Sequence, residues 1–157
     1  VIVRDDAKEP INPAVRWREE VGAIYDLVSI SPRVIFQEAG FMPVSLEAAL
    51  RVQRDTGLNI SDCLHIMDTD SIRHIIKYHG SNKEILRGQE PLVREDLLLI
   101  PQIVDNPDAI ENGGKTKPGR DTVRYSKNID GVRYYYTEEL RTKKNRLAAV
   151  TFYKREN

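Results

Sequence analysis

Residues 122–154 read TVRYSKNIDGVRYYYTEELRTKKNRLAAVTFYK, and this stretch decides the fold. Its three runs TVRYSKN, VRYYYTEEL and RLAAVTFYK are rich in Val, Thr, Tyr and Phe, side chains that suit a half-buried pleated surface. Asp130-Gly131 is a hairpin signal between the first two, and Thr142 to Asn145 connect the second to the third. Three antiparallel strands in a meander are expected. Because side chains alternate along a strand, Tyr125 and Lys127 share one face, as do Arg133 and Tyr135 on the next strand. If Ile129-Asp130-Gly131 form a three-residue loop with Gly131 left-handed, Lys127 lies opposite Arg133 and Tyr125 opposite Tyr135. That register would build a basic and aromatic face. In the last run Ala148, Val150 and Phe152 take the core side, which leaves Thr151 and Tyr153 on the other.

Upstream, the texture is helical. Val15, Trp17, Val21, Ile24, Tyr25 and Val28 recur with helical spacing from Ala14 to Ile30, where Ser31-Pro32 stops them. Ser45 caps a second helix, LEAALRVQRDT, with Leu46, Ala49 and Leu50 as its buried stripe and Gly57 as its C-cap. Asp62 to Met67 reads as a short strand or a helical turn. Thr69 or Asp70 caps a third helix, SIRHIIKYH, stopped by Gly80. After the polar SNKEILRGQEP, the run LVREDLLLIP reads as a fourth helix closed by Pro101, and ENGGKTKPGRD as a mobile Gly/Lys/Pro loop. The expected class is α+β, with N-terminal helices followed by an antiparallel β-meander. Residues 1–56 would be a helical extension and residues 57–157 the main domain.

At 157 residues and 40% hydrophobic content the chain suits one compact domain with a modest extension. Cys63 is the single cysteine, so an internal disulfide is impossible, and no metal-ligand spacing surrounds it. No run approaches the roughly 18 apolar residues of a membrane span, and the opening VIVRDDAKEP lacks the layout of a signal peptide. A cytoplasmic site of action is expected. Charge is sorted along the chain: residues 1–112 hold 12 basic and 19 acidic side chains, residues 113–157 hold 12 basic and 5 acidic. The C-terminal part therefore offers either a surface for a polyanion or an ordinary solvated set of Lys-rich and Arg-rich strands.

Two of the three histidines, His74 and His79, sit in SIRHIIKYHG. On a helical wheel His79 falls between Ile75 and Ile76 on the apolar stripe begun by Ile72, whereas His74 lies beside Tyr78. With an ordinary pKa of about 6.5 a histidine suits proton transfer near neutrality. Equally, His79 in the last turn could be a hydrogen-bonded core histidine that favours the helix's negative end. Metal-free RNA cleavage needs a base for the 2′-hydroxyl, an acid for the leaving 5′-oxygen and donors around the phosphate. The chain holds groups for all three tasks. It lacks a Gly-x-Ser-x-Gly elbow, a P-loop, a dinucleotide fingerprint and a paired-histidine metal motif, so neither a cofactor nor a metal is expected.

The order SIRHIIKYHG, EPLVREDLLLIPQIVDNPDAI, VRYSKNIDGVRYYYTEEL and AAVTFYK resembles the phage-associated nuclease domains of the barnase/EndoU/colicin/RelE-like superfamily, over roughly residues 57 to 154. The resemblance implies a ribonuclease fold and a metal-independent toxin activity on tRNA or another structured RNA. It also implies an immunity protein or antitoxin as partner, and delivery as part of a longer secreted or phage-borne protein. It matches His74 and His79 to the family's histidine pair, Lys127 to a basic residue closing the first strand, and Thr151 to a hydroxyl in the last. The face argument adds Arg133 and Tyr135 to the catalytic set and Tyr125 to the substrate-binding set, in which Arg124 and Lys154 are also expected. No glutamate stands at an obvious barnase-like position unless Glu138 or Glu139 serves. The alternative is a non-catalytic nucleic-acid or capsid-binding module on the same fold. An ADP-ribosyltransferase, another toxin type, would need an NAD-binding constellation that the sequence does not display.

Overall fold

The computed structural model describes residues 13–30, 36–81 and 87–156. The Ser31-Pro32 stop and part of SNKEILRGQEP lie outside the described residues. Helix α1 spans Pro13–Ile30, strand β1 Glu38–Pro43, helix α2 Leu46–Thr56, strand β2 Leu64–Asp68 and helix α3 Thr69–His79. Two short helices follow, α4 Arg94–Leu97 and α5 Ile100–Asp105, then β3 Ala109–Lys115, β4 Asp121–Ile129, β5 Val132–Arg141 and β6 Arg146–Glu156. The fold is α+β, and the three strands expected between residues 122 and 154 are present. They belong to a six-stranded sheet of order β1-β2-β6-β5-β4-β3, antiparallel except for the β2–β6 pair.

Local chemistry accounts for the helix ends. The Ser45 hydroxyl accepts from the Ala48 amide at 3.1 Å, and Gly57 closes α2 with φ at 77°, a left-handed value that glycine adopts without strain. The buried stripe of α2 is Ala48, Ala49 and Val52, whereas Leu46 and Leu50 are exposed, which corrects the sequence reading. Small residues let this helix approach the sheet closely. Helix α3 is capped one residue earlier than expected, by Asp68, whose carboxylate accepts from the Ser71 amide at 2.7 Å and the Ser71 hydroxyl at 2.9 Å. The expected fourth helix is instead α4 and α5, with Pro101 in the first turn of α5, where its missing N–H costs nothing. Asp96 starts α4 by accepting from the Val93 amide at 2.7 Å.

Segments read as loops also join the sheet. Residues 1–56 are not helical throughout, since they supply β1, and most of ENGGKTKPGRD is β3 and its hairpin to β4. One core lies between the helices and one face of the sheet, with Trp17, Phe41, Ile72, Ile75, Leu97, Ile103, Val123, Tyr125, Tyr136 and Phe152 in a single cluster. Cys63 is buried at its margin, as a small core residue should be, and burial pushes its thiol pKa up. Among the described residues no helix is long and apolar enough to cross a membrane.

Two details of the sheet decide which side chains share a face. The β4–β5 turn is two residues long, with φ of 51° at Asp130 and 82° at Gly131, the left-handed pair that matches strand twist. Ile129 therefore pairs with Val132, Lys127 with Tyr134, Tyr125 with Tyr136, and Arg133 with Asn128. The three-residue loop does not occur, and the expected pairing of Lys127 with Arg133 fails by one residue. In β6 a bulge at Val150 switches the alternation, so that Ala149 opposes Glu138 but Thr151 opposes Thr137. Before the bulge Leu147 and Ala149 face the core; after it Phe152 does. Ala148 and Val150 are thus corrected as core-side positions, whereas Thr151 and Tyr153 lie on the outer face as expected.

Candidate functional site

Strand β2 pairs with β6 only at Arg146, Leu147 and Ala148, after which the chain turns into α3. The second half of β6 is thereby left with an edge that α3 and the segment after it flank. The Ser71 hydroxyl, which shares its one hydrogen with Asp68, lies 3.1 Å from the Ala149 carbonyl, while the Glu90 amide donates to the Lys154 carbonyl at 2.9 Å and the Leu92 amide to the His79 carbonyl at 2.8 Å. These contacts fix the end of α3 beside β6. His79, its last residue, is half-buried there, with Nε2 sharing a hydrogen bond of 3.0 Å with Thr151 Oγ1. Its ring is 5.6 Å from that of Tyr153.

From His79 the outer face runs across the sheet in rows set by the register. Thr151 opposes Thr137, Thr137 opposes Arg124, and Arg124 opposes Glu111. In the next row Tyr153 opposes Tyr135 and Tyr135 opposes Ser126. The Tyr135 and Tyr153 rings stack with centroids 4.9 Å apart, and the Arg155 guanidinium lies 5.3 Å and 5.8 Å from those rings. Arg124 Nε donates to Glu111 Oε1 at 2.7 Å; this hydrogen bond raises the guanidinium pKa further, and the phenols of Tyr153 and Tyr135 act on the same group. Arg133 lies one row further along, with Nη1 3.5 Å from Ser126 Oγ. Imidazole, hydroxyl, phenol and guanidinium thus converge on one surface.

His74 stands five residues before His79, exposed, 4.8 Å from the Tyr78 ring and 6.4 Å from that of His79. Its pKa is lowered, first by desolvation and then by the charges of His79 and Lys77. Of the expected residues the structure groups His79, Thr151, Tyr135 and Arg124, with Arg133 and His74 at the margins. Tyr125, Lys127 and Lys154 are on the helix-facing side, which corrects the shared basic face. Tyr125 is buried, and its neighbour Lys127 donates to the Asn106 carbonyl at 2.6 Å and lies 3.6 Å from Asp108. Lys154 forms an ion pair of 2.8 Å with Asp96, a buried carboxylate that also accepts from the Tyr134 hydroxyl at 2.8 Å.

Both strand glutamates are engaged by other side chains. Glu138 is fully buried on the core side, 2.7 Å from His65 Nδ1, and Glu139 accepts from Arg120 and Arg141. Sequence reasoning assigned no role to Tyr153, Arg155 or Glu111. Alternation after the aromatic run could have found Tyr153 and Arg155, but Glu111 belongs to a strand read as a loop. Among the described residues no three His, Cys, Asp or Glu side chains are grouped to hold a metal ion.

The family described as phage-Barnase-EndoU-ColicinE5/D-RelE like nuclease3 matches the chain over residues 44–157. No curated protein matches, and no solved structure matches.

Proposed function

Because this chain belongs to the phage-Barnase-EndoU-ColicinE5/D-RelE like nuclease family, and so is a nuclease, we propose that it is a metal-independent endoribonuclease that cuts at the outer face beside His79. The carrying observation is the 3.0 Å contact between His79 Nε2 and Thr151 Oγ1 at the head of a surface that also holds Arg124, Tyr135 and Tyr153. His79 transfers the proton, as base to the 2′-hydroxyl or as acid to the 5′-oxygen, while the Thr151 hydroxyl holds the ring in orientation. Arg124, fixed by Glu111, meets the scissile phosphate and stabilises the charge that builds on it, with Arg133 and Arg155 alongside. The tyrosine pair offers ring faces to unstacked bases, the usual way in which single-stranded RNA is held.

In this reading the domain is a toxin that acts on RNA in a bacterial cytoplasm, with tRNA as the first substrate to test. A producing cell then needs an immunity protein or antitoxin. The deciding experiment is incubation of the purified protein with total RNA in excess EDTA, followed by sequencing of the new ends. Discrete cleavage supports the proposal. Intact RNA that is nevertheless bound would replace it with the non-catalytic binding module, and cleavage that requires added metal would remove metal independence.

A further inference from the structure

A second cluster of cations lies on the outer face, towards the β5–β6 turn. Arg120 Nη1 and Arg141 Nε both donate to Glu139 Oε2, at 3.0 Å and 2.8 Å. The carboxylate is mostly covered, at 11% exposure, while the Arg120 and Arg141 side chains keep 47% and 29% of theirs. One acid therefore orients two guanidiniums and neutralises only one charge. The single helical turn Thr142–Lys144 brings up Lys143 and Lys144, both exposed and outside every ion pair among the described residues. These four cations, with Leu140 and Thr142, line a cleft of about 270 Å³, and no Asp or Glu is among its lining residues. Guanidiniums held in fixed forks match phosphate oxygens in pairs, and lysines add point charge to the same ligand.

The cations of the cleft and the candidate site belong to the same face of the sheet. Glu139 occupies the outer-face position next along β5 from Thr137, opposite Thr122, so the row of His79, Thr151 and Arg124 and the row of Glu139 are neighbours. From Thr137 to Arg141 is four residues of strand, roughly 13 Å at about 3.3 Å per residue. That distance lies beyond the phosphate held by Arg124 yet within a short run of nucleotides.

We propose that the cleft of Arg120, Arg141, Lys143 and Lys144 is a second phosphate subsite, which holds the backbone of single-stranded RNA a few nucleotides from the bond being cut. The proposal rests on the reading of the outer face as a ribonuclease site. It makes cleavage of long strands more efficient than cleavage of short ones, because added nucleotides reach cations that a dinucleotide cannot.

The test is the double variant Lys143→Ala, Lys144→Ala, which leaves Glu139 with both arginines. Cleavage of a dinucleotide should match the parent, while for a longer single strand KM should rise about tenfold at unchanged kcat. In parallel, anisotropy titration with a labelled 2′-O-methyl strand of the same length reads binding without cleavage. Its affinity should drop similarly, and the slope of log affinity against log salt should shrink by about 1.4, the value for two lost phosphate contacts on a single strand. If the parent protein cuts no RNA, the ribonuclease reading fails while the titration still judges the cleft. Weaker binding by the variant sustains the subsite; equal binding, or no binding by either protein, overturns it. Equal KM on the long strand also overturns it, as it would if the cleft served an acidic protein partner.

Discussion

His79 Nε2 and Thr151 Oγ1 lie 3.0 Å apart although 72 residues separate them in the chain. The contact joins the end of α3 to the strand whose bulge at Val150 turns Thr151 outward. Replacement of His79 by Ala should lower single-turnover RNA cleavage by about 10²–10⁴-fold, the usual worth of a positioned acid or base. Thr151→Val keeps the shape and removes the oxygen, and should cost about tenfold in kcat with KM unchanged. Retained far-ultraviolet dichroism in both variants separates lost chemistry from lost fold, and full activity of the His79 variant would remove it from the mechanism.

The stacked rings of Tyr135 and Tyr153 should serve binding rather than proton transfer. Alanine at either position should weaken affinity for single-stranded RNA by about 1–3 kcal/mol, whereas phenylalanine should retain it, because the ring face carries the interaction. Anisotropy titrations of the four variants check this. Loss on Phe substitution would point to the hydroxyls instead.

The buried pair His65 and Glu138, 2.7 Å apart and almost without exposure, should serve stability rather than cleavage. It lies on the core side of the sheet, where the His65 ring stacks on Phe41 at 5.6 Å. Glu138→Ala leaves that imidazole without its partner and should cost about 1–3 kcal/mol in urea unfolding, as buried polar groups left unsatisfied do. Cleavage by the fraction still folded should equal the parent's. Unchanged unfolding with lost activity would reverse the assignment.

His74 should titrate by NMR below the ordinary histidine value of about 6.5. In the His79→Ala variant its midpoint should move up, because the second-ranking cause is removed, yet stay below the ordinary value, because the larger cause, desolvation, remains. The unfolded chain takes up this proton before the folded one does. Stability linked to His74 is therefore complete above the ordinary value and falls as pH drops through it towards the folded midpoint. A midpoint that ignores the His79 substitution would show that the two rings do not sense each other.

The three C-terminal strands, the caps at Ser45 and Gly57 and the helix carrying both histidines were legible because each depends on neighbouring residues: branched and aromatic runs, a capping hydroxyl, a left-handed glycine. β1 and β3 were not, since Glu38–Pro43 and Ala109–Lys115 hold Gly, Asn and Pro and owe their strand geometry to pairing with β2 and β4. Lys127 was expected in the catalytic set from the resemblance and the three-residue-loop register, and Lys154 in the substrate-binding set. Only the packed helices reveal that Asp96 and the end of α5 claim them.

The sequence by itself determined the α+β class, the histidine helix, the surplus of cations in the last third and the outward side of Thr151 and Tyr153. Tertiary structure decided which of these meet. A two-residue turn at Asp130-Gly131 and one extra residue at Val150 each shift a strand's pairing by a single position, and with a side-chain period of two a shift of one exchanges the faces. Local composition tolerates either outcome. The core chose between them, by burying Tyr125, Tyr136 and Phe152 on one side and leaving Arg124, Tyr135, Thr151 and Tyr153 beside His79 on the other.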